Sequence, residues 1–230
     1  MRRTYKDIEY TLQRSNRKTA SIYIERDGQV SVYVPKNLTK AKVEELLESK
    51  RKWIYRNQAE WHDLNATRVQ REYVNGEGFL YLGRTYRLKL VEDQDHSLML
   101  RNGHFCLRSD NGSVPDADAA FKEFYREKAK RRIPGRVAFY EDRMGVRSKA
   151  VKVFDLKNRW ASCSPGGNVN FHWKCMMAPL TVLDYIVVHE LAHLVHHNHT
   201  EAFWNEVDKV MPDYGERKEW LRVNGAGMDL

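Results

Sequence analysis

The run His189-Glu190-Leu191-Ala192-His193-Leu194-Val195-His196-His197-Asn198-His199 constrains this chain more than any other stretch. It opens with H-E-x-x-H. Two residues four apart share one face of a helix, because four residues at 3.6 per turn overshoot a full turn by only about 40°. His189 and His193 can therefore reach one cation side by side. Neutral imidazole is a common zinc ligand, and a zinc that does chemistry usually takes three protein ligands and leaves a fourth place for solvent. Glu190 lies beside the pair, where it could accept a proton from that solvent.

The surrounding residues predict the helix. Leu183, Tyr185, Ile186, Val187 and Val188 lead into the motif, and Leu191, Ala192, Leu194 and Val195 continue it. A segment apolar nearly all round belongs inside a domain. Pro179 marks a helix start, and Thr181 is a candidate cap. A chance H-E-x-x-H falls mostly on solvated helices. Here unpaired His and Glu side chains would be costly to bury, which favours a metal that gives them partners.

A third ligand must come from elsewhere. His196 lies on the same helical face but about 10 Å along the axis from His189, too far to share an ion on a straight helix. His199 is better placed if the helix stops first. Asn198 tolerates the left-handed conformation, so it is expected to end the helix and turn the chain, with Thr200 capping the next helix and Glu201 in its first turn. The alternative third ligands are the carboxylates of Glu201 and Glu206. The H-E-x-x-H-x5-H spacing equals that of the metzincins, but His196 stands in place of their glycine. His196 and His197 read as the end of a helix face, or as groups behind the ligands.

With 230 residues, 42% hydrophobic and 30% charged, the chain can bury a core in one large or two small domains. The basic start, Met1-Arg2-Arg3, precedes no apolar run, so no signal peptide is expected, and no segment nears the roughly 18 apolar residues of a membrane span. The cysteines, Cys106, Cys163 and Cys175, are odd in number and show no C-x-x-C spacing. This points to a reducing, cytoplasmic setting and to small buried side chains. A formal charge of +8 favours anionic partners, nucleic acid and nucleotides among them. The densest basic run, Lys128, Lys130, Arg131, Arg132 and Arg136, reads as a solvated helix face, because no nucleic-acid motif accompanies it.

In chain order, residues 1–36 read as β, with Asp27-Gly28 as a turn. Thr39 caps a helix expected to run to about residue 62. Residues 71–108 return to β, with Asn75-Gly76 and Asn102-Gly103 as hairpin signals and Leu80, Leu82, Tyr86, Leu88 and Leu90 alternating along one strand. The cluster Asp110-Asn111-Gly112-Ser113-Val114-Pro115 marks a domain boundary, giving a β-rich part with one long helix over 1–112 and a second domain over 113–230. The helix from Ala117 to about Met144 should kink or split at Pro134. Val151, Val153, Asp155, Arg159 and Trp160 form a strand, and Val169, Phe171 and Trp173 return after the turn at Ser164-Pro165-Gly166-Gly167. The fold class is α+β, with a β-ribbon ahead of the metal helix. Such a strand along a cleft suits an extended polypeptide, which can add to its edge.

The run Arg159-Trp160-Ala161-Ser162-Cys163-Ser164, then Gly167 and Asn168 to Trp173, then Pro179, Asp184 to Leu194, Asn198-His199 and Phe203-Trp204, resembles the YgjP-like metallopeptidases, relatives of the WLM and SprT-like zinc proteases. The likeness is strongest over residues 150–222. It implies a zincin-like C-terminal domain, zinc held by His189, His193 and His199, and Glu190 as catalytic base. Ala161 stands where a glycine is usual, and His172 where asparagine is common; neither is a ligand position.

The reading is a zinc-dependent hydrolase acting on peptide bonds. Its tetrahedral oxyanion needs a further donor. Tyr214, His172 and Arg159 are the candidates, in that order. Two rivals use the same residues. A metal-activated water can also attack phosphorus, which would make the chain a nucleotide phosphohydrolase. A fourth protein ligand would instead make the zinc structural, in a non-catalytic nucleic-acid or protein-binding module.

Overall fold

Alternating apolar residues and one turn glycine, Gly28, build the first of two units, Met1–Val69 and Gln70–Leu230. The computed structural model describes residues 2–25, 27–65, 70–114, 116–156 and 159–230. In the first unit, β1 (Arg2–Tyr5), β2 (Ile8–Ser15), β3 (Ser21–Ile24) and β4 (Val30–Pro35) form one sheet in the order β1-β2-β4-β3, with β2 and β4 parallel. The Asp27-Gly28 turn joins β3 to β4, with Gly28 at φ +80°, a conformation that only glycine adopts without strain. Thr39 caps α1 (Lys40–Ser49), and its side chain accepts from the Lys42 N–H. The helix expected to continue instead breaks at Lys50, and α2 (Arg51–Asn65) follows. The Ser49 hydroxyl competes there for the Leu46 carbonyl, at 2.8 Å. Val43, Leu47 and Ile54 from the helices pack on Ile8, Tyr10, Leu12, Val30, Val32 and Val34 of the sheet.

The second unit begins with β5 (Gly78–Tyr81), β6 (Arg84–Val91), β7 (Leu98–Arg101) and β8 (His104–Arg108), ordered β5-β6-β8-β7. The single strand expected over Leu80 to Leu90 is two. The chain reverses at Leu82-Gly83, with φ +49° and +77°. Their N–H groups donate to the carbonyls of Met176 and Met177, so tertiary docking imposes a turn that leucine does not signal. Asn102-Gly103 does join β7 to β8 as a hairpin. Asn75-Gly76 does not; Asn75 Oδ1 accepts from the Leu90 N–H and ties the approaching chain to β6.

Helix α3 (Ala117–Met144) runs unbroken through Pro134 and ends at Gly145 in the left-handed conformation. Buried Ile133 and Val137 flank the proline and hold the helix against the core. Phe121 of α3 stacks on Phe79 of β5 at 4.1 Å between centroids, and lies 5.2 Å from Phe105 of β8. The turn at 110–114 therefore lies on the surface of one unit, between elements that share a core, and the division into units falls instead at Val69/Gln70.

A second sheet follows, β9 (Ala150–Phe154), β10 (Ala161–Cys163) and β11 (Asn168–His172), in the order β10-β11-β9. The strand expected over 151–160 is thus split, with Asp155, Arg159 and Trp160 outside it. A 3₁₀ turn, Trp173–Met177, leads to α4 (Leu180–Ala192), α5 (Glu201–Val210) and α6 (Tyr214–Asn224). Among the described residues, no helix is long and apolar enough to cross a membrane.

Candidate metal centre

Helix α4 is buried along nearly its whole length, from Val182 to Ala192. Pro179 precedes it and its carbonyl accepts from Val182 and Leu183, so Thr181 lies inside the first turn rather than capping it. The helix ends at His193, well before Asn198. Leu194 donates to the Leu191 carbonyl, and Val195 and His196 to that of Ala192. These tightened bonds, rather than a left-handed Asn198, turn the chain. Asn198 instead accepts from the Thr200 N–H at 2.8 Å. Thr200 precedes α5 as expected but makes no side-chain cap.

The turn brings His199 back over the helix. The ring centroids of His189, His193 and His199 are 5.0, 4.9 and 4.7 Å apart in the three pairings, and one ligating nitrogen from each lies within 4.8 Å of the others. The Nε2 atoms of His189 and His199 are 3.0 Å apart. His193 Nδ1 lies 3.0 Å from the His196 carbonyl. A carbonyl only accepts, so Nδ1 carries the proton there and the Nε2 lone pair is left for a ligand. His189 Nδ1 is buried with no hydrogen-bond partner.

Burial, then the neighbouring His193 and His199, push His189 down to about 3. His193 and His199 are lowered too, chiefly by burial. All three are therefore neutral near pH 7, the form that coordinates metals. Phe203 is fully buried beneath the three rings, 4.6–5.0 Å from each between centroids, and Trp204 stacks on His199. This apolar floor restricts how the imidazoles can turn. Three converging neutral nitrogen donors fit a borderline cation such as zinc better than calcium or magnesium, which prefer oxygen.

Glu190 points to another side of α4 and is buried. Desolvation raises its carboxyl to about 7, against the opposing effects of the Arg159 charge and a backbone hydrogen bond from Cys163. It therefore faces β10. Cys163 is half-buried there, and its thiol is raised by desolvation and by Glu190, whereas Cys106 and Cys175 are fully in the core.

The other candidates are dispersed. Arg159 is exposed but acts on Glu190. Tyr214 stacks on Trp204 at 5.2 Å. The His172 ring accepts from the Lys174 N–H at 3.0 Å and borders a separate cleft with Asp118, Asp155 and Asp229. Glu206 pairs with Lys209, and neither it nor Glu201 joins the histidine group. Two neighbours were not foreseen. Tyr185 stands one turn before His189, 5.8 Å from its ring, and is pushed up to about 12 by burial, then by Glu190 and Tyr214. Its i,i+4 spacing from His189 was the available signal. Lys218 lies over Trp204 at 4.3 Å, and its charge reaches His189 and His199.

The profile of the YgjP-like, metallopeptidase domain matches residues 18–224. Among solved structures, the crystal structure of the metallopeptidase zymogen of Pyrococcus abyssi abylysin is similar, at 27% identity over 38% of this chain and 89% of that one, with a TM-score of 0.36. No curated protein matches the chain.

Proposed function

Because this chain belongs to the YgjP-like metallopeptidase family, we propose that it is a zinc-dependent peptidase whose ion is held by His189, His193 and His199, with Glu190 as general base. Its α+β fold is of the zincin-like metallopeptidase kind. The observation that carries the ligand assignment is the convergence of three imidazole nitrogens within 4.8 Å.

When bound, zinc supplies Lewis acidity, polarising a carbonyl and acidifying water beside it. Glu190 performs the proton transfers. Its proton affinity, raised to about 7, suits both accepting a proton from water and returning it to the leaving amine. The His196 carbonyl keeps the His193 imidazole in one tautomer, and Phe203 limits ring rotation. Of the oxyanion donors considered, Arg159 is preferred, since its charge already acts on Glu190.

Strand β10 positions the substrate. It is an edge strand, and the Ser164 N–H donates inward to the Asn168 carbonyl. Antiparallel pairing alternates, so Ala161 and Cys163 turn their backbone groups away from β11. The Cys163 N–H is taken by Glu190, which leaves the Ala161 N–H and C=O and the Cys163 carbonyl for an extended peptide to add as a further strand.

The test is metal analysis of the purified chain and of His193→Ala, beside peptide cleavage by wild type and Glu190→Gln. The expected result is zinc at about one per chain, lost in His193→Ala, and a Glu190→Gln variant that keeps its metal and loses at least about a hundredfold in kcat. A chain that takes up no metal, or Glu190→Gln cleaving at the wild-type rate, overturns the reading.

A further inference from the structure

The sheet of the first unit presents a face that neither of that unit's helices covers. Successive side chains of a strand point to opposite sides. Tyr10, Leu12, Val30, Val32 and Val34 point toward α1 and α2 and are buried. The residues between them point outward, and they include no aliphatic side chain within β1–β4 other than Pro35 at the end of its strand. Two tyrosines dominate that side. The register sets Tyr33 opposite Ser21 and Tyr23 opposite Ser31, with Arg2 opposite Thr11 on the far strand.

The rings of Tyr23 and Tyr33 meet edge to face at 5.4 Å, and Tyr23 is 42% exposed. Arg17 is fixed across this pair. Its guanidinium lies 5.8 Å from the Tyr33 centroid, and its Nη2 donates to Ser21 Oγ at 2.7 Å. Lys18 beside it is exposed. Glu9 is the one carboxylate among the outward strand residues. The unit as a whole carries fifteen Lys and Arg against nine Asp and Glu, so +6 of the chain's net charge of +8 is here rather than in the larger unit.

We propose that this sheet face binds single-stranded nucleic acid, with bases stacking on the Tyr23–Tyr33 pair and phosphates meeting Arg2, Arg17 and Lys18. An unpaired strand alone offers both halves of the match. Its bases have open π-faces, and its backbone repeats a negative charge at each nucleotide. Duplex bases are already stacked on one another. An acidic polypeptide would satisfy the cations and leave the rings without partners. The site is independent of the metal centre, so it stands or falls without reference to peptidase activity.

The experiment is fluorescence anisotropy of the full chain with labelled oligo(dT) and oligo(rU) of about 20 nucleotides, titrated over a range of salt. Binding should weaken with salt as phosphate contacts release counterions. Tyr23→Ala, which changes no charge and lies at an exposed position, should weaken binding about tenfold, while Tyr23→Phe retains it. Lys128→Glu/Arg131→Glu on α3 is the control for a diffuse field and should cost much less than Arg17→Glu/Lys18→Glu. Four results would overturn the proposal: no binding at low salt, wild-type affinity in Tyr23→Ala, equal affinity for duplex or polyglutamate, or an α3 charge reversal as damaging as the one beside the tyrosines.

Discussion

Arg136 forks onto Asp184, with both guanidinium–carboxylate bonds at 2.7 Å. The pair fastens α3 to the metal helix about one turn ahead of His189. The Asp184 side chain is 9% exposed and that of Arg136 25%. Removing one member of such a pair leaves a buried charge without its partner, which costs more than the pair itself contributes. Arg136→Met should therefore destabilise the chain by about 3 kcal/mol, and Arg136→Met/Asp184→Leu should recover much of that loss. Urea unfolding midpoints of the two variants check this, and a double variant no more stable than the single would refute it.

Metal removal should show in stability as well as in activity. A ligand that binds only the folded state at about a thousand times its Kd stabilises by about 4 kcal/mol. For a unit the size of Gln70–Leu230 that corresponds to about 10 °C in Tm. Chelation should lower the melting temperature of the wild type by that order, and zinc should restore it. In His199→Ala the chelated and zinc-loaded curves should nearly coincide. A chelator shift of full size in His199→Ala would remove that residue from the ligand set.

Acid sensitivity should appear at Asp155. Its carboxylate pays a desolvation cost, but it accepts from the Trp173 indole N–H and from Arg126, and the net effect is a value below the usual 3.8. A depressed carboxylate stabilises the fold above its unfolded pKa and loses that contribution as pH falls through the folded one. The stability gap between wild type and Asp155→Asn should be full at neutral pH and shrink below about pH 4. Denaturant midpoints across that range supply the measurement; a constant gap would contradict the assignment.

Gly83 should resist substitution for two reasons together. Its φ is +77°, and a Cβ there would stand 2.7 Å from Pro179 Cγ and 2.9 Å from Pro179 Cα. Gly76, at φ +87°, has nothing within 4 Å of the same added atom. Gly76→Ala should cost about 1 kcal/mol from backbone strain alone, and Gly83→Ala roughly 2–3 kcal/mol. Parallel thermal melts would test the ranking, and equal losses would mean that contact with Pro179 contributes nothing.

How far the sequence spoke for itself varied with the range of the interaction. Periodicity sufficed for α4, where apolar residues run all round, and the i,i+4 rule set His189 and His193 on one face. Local chemistry sufficed at Asp27-Gly28 and Asn102-Gly103. It failed at Leu82, whose positive φ comes from the docking of the β5–β6 tip onto Met176 and Met177, far along the chain. It failed at Asp110 to Pro115, where turn residues are present but Phe79 and Phe105 before them share a core with Phe121 and Tyr125 after them. Arg136 stood in a basic run that resembles a solvated face, and nothing local reveals a partner 48 residues away. At the metal centre, Asn198 carried the strongest turn signal, yet the backbone had already tightened at His193.

The hydrogen bond from His193 Nδ1 ends on the peptide oxygen of residue 196 and not on any side chain. The aim of that imidazole is thus written in the length of the bend, not in its lettering. Residue 196 can change identity without disturbing the ring, whereas one residue inserted or deleted between 194 and 198 would shift the oxygen and swing His199 out of register in a single stroke.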